Sequence, residues 1–199
     1  YAVGAADFHR NGYYDTFPPG DGVPLTGMDI TPSGDMTAFV KASDSLIVFS
    51  EWEPRIGYSF GMRTEIDSSD APFLDGVREV CFLDDTNMVY ATSKDIGRFA
   101  RTGTSNWEQK EIFTSNIYQT GLMEDIIALT RAPDGKHLYV LCRQSHNLAV
   151  FSFENGTLEE MGSASLGNFN PAWMELSLNG DHLLVTSENS EELLLYRIL

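Results

Sequence analysis

Residues 131–143 read Arg-Ala-Pro-Asp-Gly-Lys-His-Leu-Tyr-Val-Leu-Cys-Arg, a tight turn followed by an unbroken apolar run that ends on a charge. Degraded versions of this unit recur. Asp29–Val40 reads DITPSGDMTAFV, Glu79–Ala91 reads EVCFLDDTNMVYA, Ala128–Leu141 reads ALTRAPDGKHLYVL and Glu175–Thr186 reads ELSLNGDHLLVT. Each has a short apolar strand, a Gly/Asp/Asn turn and a second, more apolar strand. The turn positions Gly34, Thr86, Gly135 and Gly180 are 52, 49 and 45 residues apart. A period of roughly 40–50 residues built only from strands is the mark of propeller blades, each a small antiparallel sheet. The sequence thus predicts an all-β fold, a β-propeller of four blades that either closes by itself or belongs to a larger ring.

Working outward from the turns, alternation and turn residues predict the remaining strands. The third blade is the clearest, with strands over Ile126–Arg131, His137–Arg143, Leu148–Glu154 and Leu158–Ser165. The second runs over Val77–Leu83, Met88–Ser93, Ile96–Arg101 and Trp107–Phe113. In the first, Gly27–Thr31, Met36–Ala42, Leu46–Glu51 and Tyr58–Glu65 fit. The fourth offers only Trp173–Ser177, His182–Ser187 and Leu193–Ile198. A three-stranded blade leaves an unpaired edge that invites another strand. Residues 1–25, a short strand-like piece and a Pro/Gly-rich loop, are the expected closing segment, either Tyr1–Ala5 or Ala6–Arg10. Residues 26–199 form the propeller region. A strand from another chain is the alternative partner for this edge.

Composition narrows the function. Twenty-nine acidic residues face 13 basic ones, a formal charge of −16. Such a surface repels nucleic acid and anionic lipid, so neither is an expected partner. No apolar run approaches the ~20 residues of a membrane helix. Cys81 and Cys142 stand alone in apolar strands and form neither a zinc pattern nor a disulfide framework. Buried thiols in a reducing compartment are expected, with the cytoplasm favoured over secretion. No nucleotide loop, Ser-His-Asp signature or metal motif is present, so no cofactor and no metal are predicted. Trp52, Trp107 and Trp173 do not share a blade position, which points to packing between blades rather than a stacking platform.

Two segments, APDGKHLYVLCRQSHNLAVFSFENGTL over residues 132–158 and PAWMELSLNGDHLLVTSENSEELLLYRI over 171–198, resemble adjacent blades of the lactonase-type seven-bladed propeller family. This family of WD40-like blades includes 6-phosphogluconolactonases and carboxymuconate cycloisomerases. The likeness covers about residues 76–199, with Gly76–Glu79 (GVRE) resembling the family's Gly-Pro-Arg-His segment. It implies lactone opening or closing, with arginines holding a substrate carboxylate and an acid or histidine moving a proton. On that basis Arg143 and Arg78 are the candidate clamp, whose planar forks suit a carboxylate. Glu79 replaces the family's histidine, and Lys94 stands where a glutamate is expected. His146, in a turn beside a strand, is a further candidate proton carrier.

With the expected acid missing, the sequence favours a non-catalytic binding or scaffolding propeller that engages a protein partner or a small carboxylate. The second reading is a lactonase or cycloisomerase acting on a carboxylated sugar lactone or muconate, with Arg143 and Arg78 as clamp and Glu79 as base. The third is a subunit whose open edge is completed by another chain. The enzyme reading requires Arg143 and Arg78 to converge beside a carboxylate.

Overall fold

A computed structural model of the chain describes residues 25–41, 46–53, 59–69, 71–103, 106–114 and 123–198. They form consecutive antiparallel sheets. The first blade is β1 (Leu25–Ile30), β2 (Met36–Lys41), β3 (Leu46–Glu53) and β4 (Ser59–Ile66). Next come β5 (Glu79–Phe82), β6 (Asn87–Ala91), β7 (Asp95–Arg101) and β8 (Trp107–Thr114). The third is β9 (Ile126–Arg131), β10 (His137–Cys142), β11 (Asn147–Glu154) and β12 (Thr157–Ser165). Last are β13 (Pro171–Leu176), β14 (His182–Ser187) and β15 (Leu193–Arg197). Each sheet is a meander with strands in chain order. The predicted strands agree with these within one or two residues at most ends. The expected pairing of residues 1–25 with the last blade lies outside the described residues.

The strands β1, β5, β9 and β13 open their blades and pack against one another in sequence around the axis. Three apolar clusters fill the spaces between successive blades. In β6, Met88 and Tyr90 join the cluster shared with the first blade, while Val89 and Ala91 join the one shared with the third. In β10, Leu138, Val140 and Cys142 face the second blade, and Tyr139 and Leu141 face the fourth. Successive strand residues point to opposite faces, so a strand covered on both sides reads as a continuous apolar run. That is why MVYA and HLYVLC lack polar alternation.

The turns obey backbone geometry. Gly34, Gly135 and Gly180 have φ of 80°, 70° and 75°, a region that residues with a Cβ rarely enter. Each donates its N–H to the carbonyl three residues back, Thr31, Ala132 and Ser177 respectively, closing the same turn in three blades.

Specific contacts join the blades. Trp107 stacks on Phe49 of the first blade, with centroids 4.5 Å apart. Arg98, almost fully buried, pairs with Glu111 and Asn87 and lies 5.8 Å above the Phe153 ring of the third blade. Packing between blades thus holds for Trp107. Trp173 differs: it is 57% exposed on β13, because among the described residues no further blade covers that face. The side chain of Trp52 is not among those described.

Gly97 lies opposite Tyr90 in the β6–β7 register. A Cβ there would fall 2.4 Å from the Tyr90 ring, and Tyr90 is fully buried. Gly97→Ala is therefore expected to lower stability by about 1–3 kcal/mol through overpacking. A Gly97→Ala, Tyr90→Phe pair should recover little, since the clash involves ring carbons as well as the hydroxyl. Urea denaturation with an unchanged midpoint for Gly97→Ala would refute this packing.

Candidate functional site

Antiparallel strand order fixes which loops share an end of the blades. The segments entering β5, β9 and β13 lie at the same end as those leaving β6, β10 and β14. Matching backbone bonds fasten the pieces: Arg78 N–H to Ala91 O at 2.8 Å, Arg143 to Asp125 at 2.9 Å, and Glu188 to Asn170 at 2.9 Å.

These joints bring charged side chains from three blades together. Arg78 Nη1 donates to Asp125 Oδ1 at 2.8 Å, and Arg143 Nε donates to Asp125 Oδ2 at 2.8 Å. Arg143 Nη1 also lies 3.7 Å from Glu188 Oε2, which accepts a hydrogen bond from Asn170 Nδ2 at 3.2 Å. The result is one chain of contacts, Arg78–Asp125–Arg143–Glu188–Asn170, across the second, third and fourth blades. The two arginine side chains remain 45% and 38% exposed, so donors not committed to Asp125 can meet a ligand.

The two sequence-selected arginines therefore converge, on a carboxylate that sequence reasoning overlooked. Asp125 has φ 58°, which an aspartate tolerates better than most residues, and this turns the chain into β9. A signal for it was available. Asp125 and Asn170 each precede their turn glycine by ten residues, and Arg143 and Glu188 each follow it by eight. Aligning the third and fourth blades at these offsets collects Asp125, Arg143, Asn170 and Glu188, though not Arg78.

Asp125, within this cluster, and Glu79, on the first-blade side of β5, have opposite electrostatics. Desolvation works to raise the pKa of Asp125, but hydrogen bonds from Arg143 and Arg78 outweigh it and hold the pKa below the ordinary aspartate value. Glu79 starts β5 on the side of the first blade, its carboxylate close to Gly27 of β1. Burial pushes its pKa up to about 7, and among the described residues no cation or donor pairs with it to oppose that. Asp125 is thus a fixed anion and Glu79 a group that titrates near neutrality.

Other candidates have structural positions. His146, at φ 48°, contacts the Phe169 carbonyl through Nδ1 at 2.7 Å and ties the turn after β10 to the loop before β13. Lys94 is exposed in the turn after β6, next to Asp95. Cys81 and Cys142 are free and buried; burial raises both thiols, Cys142 to about 12, so neither is a ready nucleophile. Among the described residues no three His, Cys, Asp or Glu are placed to hold a metal ion, and no helix is long and apolar enough to cross a membrane.

Residues 30–199 match the family model described as "Lactonase, 7-bladed beta-propeller", and the chain belongs to that family. Among solved structures, it is similar to the periplasmic gluconolactonase of Pseudomonas aeruginosa (TM-score 0.66, 18% identity, covering 87% of this chain and 49% of that one). It is also similar to a Bacteroides uniformis protein provisionally named a 6-phosphogluconolactonase (TM-score 0.66, 21% identity, 87% and 50%). A third likeness is to the β-propeller domain of Myceliophteria thermophila Cps50 (TM-score 0.64, 14% identity, 88% and 56%). At these identities the structural likeness establishes the fold. The chain spans about half the length of these proteins. A search of curated proteins finds no significant match.

This assignment corrects the leading functional expectation. A non-catalytic binding or scaffolding propeller was expected because Glu79 and Lys94 replace the histidine and glutamate of the family pattern. Membership of the lactonase family, with neighbours named for lactone hydrolysis, favours the lactonase reading instead.

Removing the central anion gives a direct check. A depressed carboxylate pKa contributes stability above the unfolded value, near 3.8, that is lost as pH falls through the folded value. Asp125→Asn should therefore lower the Tm by a few degrees at pH 7, on the order of 1 kcal/mol after solvent screening. The difference from wild type should shrink as pH falls below about 3.8. Equal melting temperatures at pH 7 would show that Asp125 does not hold the arginines.

Proposed function

We propose that this chain carries part of the active site of a lactone hydrolase acting on a sugar lactone. The observation that supports it most is the convergence of Arg78 and Arg143 on Asp125, at one end of a propeller of the lactonase family. Hydrolysis needs a base to take a proton from water, donors for the oxyanion that develops on the carbonyl, and an acid for the departing ring oxygen. Asp125, held ionised by two guanidiniums, is a poor base and serves to orient them. Glu79, with a pKa of about 7, is suited to accept and return a proton at neutral pH.

In this reading the water oxygen bonds to the lactone carbonyl carbon while its proton passes to Glu79. Uncommitted donors of Arg78 and Arg143 face the growing negative charge. The ring C–O bond then breaks, and the Glu79 proton goes to the leaving alkoxide oxygen. The product is an open hydroxy acid whose carboxylate the arginine pair can hold until release.

The full-length protein should hydrolyse δ-gluconolactone faster than the uncatalysed background. Arg78→Ala and Arg143→Ala should each lower kcat/KM by about 10²-fold, as for loss of an oxyanion donor. Wild-type kcat/KM should fall as pH drops below about 7, because the base must be unprotonated, and Glu79→Gln should abolish that limb. Circular dichroism checks that the variants fold. Wild-type rates at background, or arginine variants within twofold of wild type, would overturn the assignment.

Glu79 also makes a stability prediction of opposite sign to Asp125. Its folded pKa lies above the unfolded value of 4.5, so ionisation favours the unfolded chain between 4.5 and about 7. Stability is lost as pH rises through that window. Glu79→Gln should melt at the same temperature as wild type at pH 4 and higher at pH 8, by on the order of 1 kcal/mol. A variant less stable than wild type at pH 8 would place Glu79 in a compensated environment.

A further inference from the structure

We infer that this site prefers an uncharged sugar lactone over one carrying a phosphate dianion, an inference that rests on the lactonase reading. Charge sets this preference. At the end of the blades that carries Arg78 and Arg143, the described connecting loops hold three cations: Arg78, Lys94 and Arg143. Carboxylates outnumber them. Asp67 and Asp75 lie before β5, Glu124 and Asp125 before β9, and Glu188, Glu191 and Glu192 after β14.

Nor is any of the three cations without an acidic neighbour. Arg78 and Arg143 share Asp125, Arg143 also has Glu188 at 3.7 Å, and exposed Lys94 adjoins Asp95 in the chain. Phosphate sites usually gather arginine or lysine in excess, because a dianion must be compensated as it loses water. Here each guanidinium already gives one donor to Asp125, so a phosphate held by the donors that remain would sit beside that carboxylate, anion against anion. A neutral lactone meets no such conflict. It gains negative charge only at its carbonyl in the transition state, where donors left over from the Asp125 pairing suffice. The chain as a whole, at −16, adds long-range repulsion of the same sign.

The test compares δ-gluconolactone with its 6-phospho derivative on the full-length protein. At low ionic strength kcat/KM should favour the neutral lactone by about tenfold or more, and added salt should narrow the gap as the repulsion is screened. Glu191→Gln/Glu192→Gln, outside the arginine contacts, should leave the neutral substrate unchanged and improve the phosphorylated one two- to threefold. Equal or better use of the phosphorylated lactone at low salt would overturn the inference while leaving the lactonase reading intact. Turnover of neither compound would overturn the lactonase reading itself. Calorimetric binding of gluconate against 6-phosphogluconate then decides the charge preference alone, and tighter binding of the phosphorylated acid would sink it.

Discussion

Every inner blade of this molecule has two apolar faces, and only another blade can cover each of them. A four-stranded sheet with one wet face can stand against a single partner. A sheet whose second strand reads MVYA or LYVLC cannot, since burying one face leaves the other in water. Radial packing resolves this by placing each inner sheet between two others, and the three clusters between successive blades are the outcome. The same constraint leaves apolar side chains uncovered where no further blade is described: Trp173, Leu193 and Leu195 in the last sheet, Met28 and Ile30 in the first.

That packing also builds the rim. Because each blade enters and leaves its inner pair of strands at the same end, loops distant in sequence are set side by side. Asp125 belongs to the third blade, and of its two arginines one comes from the second. The ion pairs are partly exposed and contribute little to the fold by themselves. Their importance is positional: a carboxylate between two guanidiniums fixes both forks and keeps itself ionised. Glu79, at the start of β5, lies against a glycine of the first blade, and no cation among the described residues opposes its burial. One fixed anion and one titrating acid arise from two residues of similar chemistry because their surroundings differ.

The blade pattern was legible because it is written locally. Turn glycines at positive φ, period-two runs and recurrent spacing all act within some fifteen residues, so strand limits could be read nearly to the residue. The arginines were legible too, through their likeness to a family pattern. Asp125 is marked only by its blade offset: its partners Arg78 and Arg143 are 47 and 18 residues away, and its near neighbours in the chain do not single it out. A second property stayed hidden for a related reason. Glu79 is an ordinary glutamate in sequence, and only burial against β1 shifts its ionisation.

The order of residues alone thus determined that this chain is made of repeated antiparallel sheets, because turn chemistry and alternation are properties of neighbouring residues. Tertiary structure alone decided which charges meet, which carboxylate stays ionised and which one titrates near neutrality. Those depend on distances across blades and on exclusion of water, quantities that exist only once the sheets have packed.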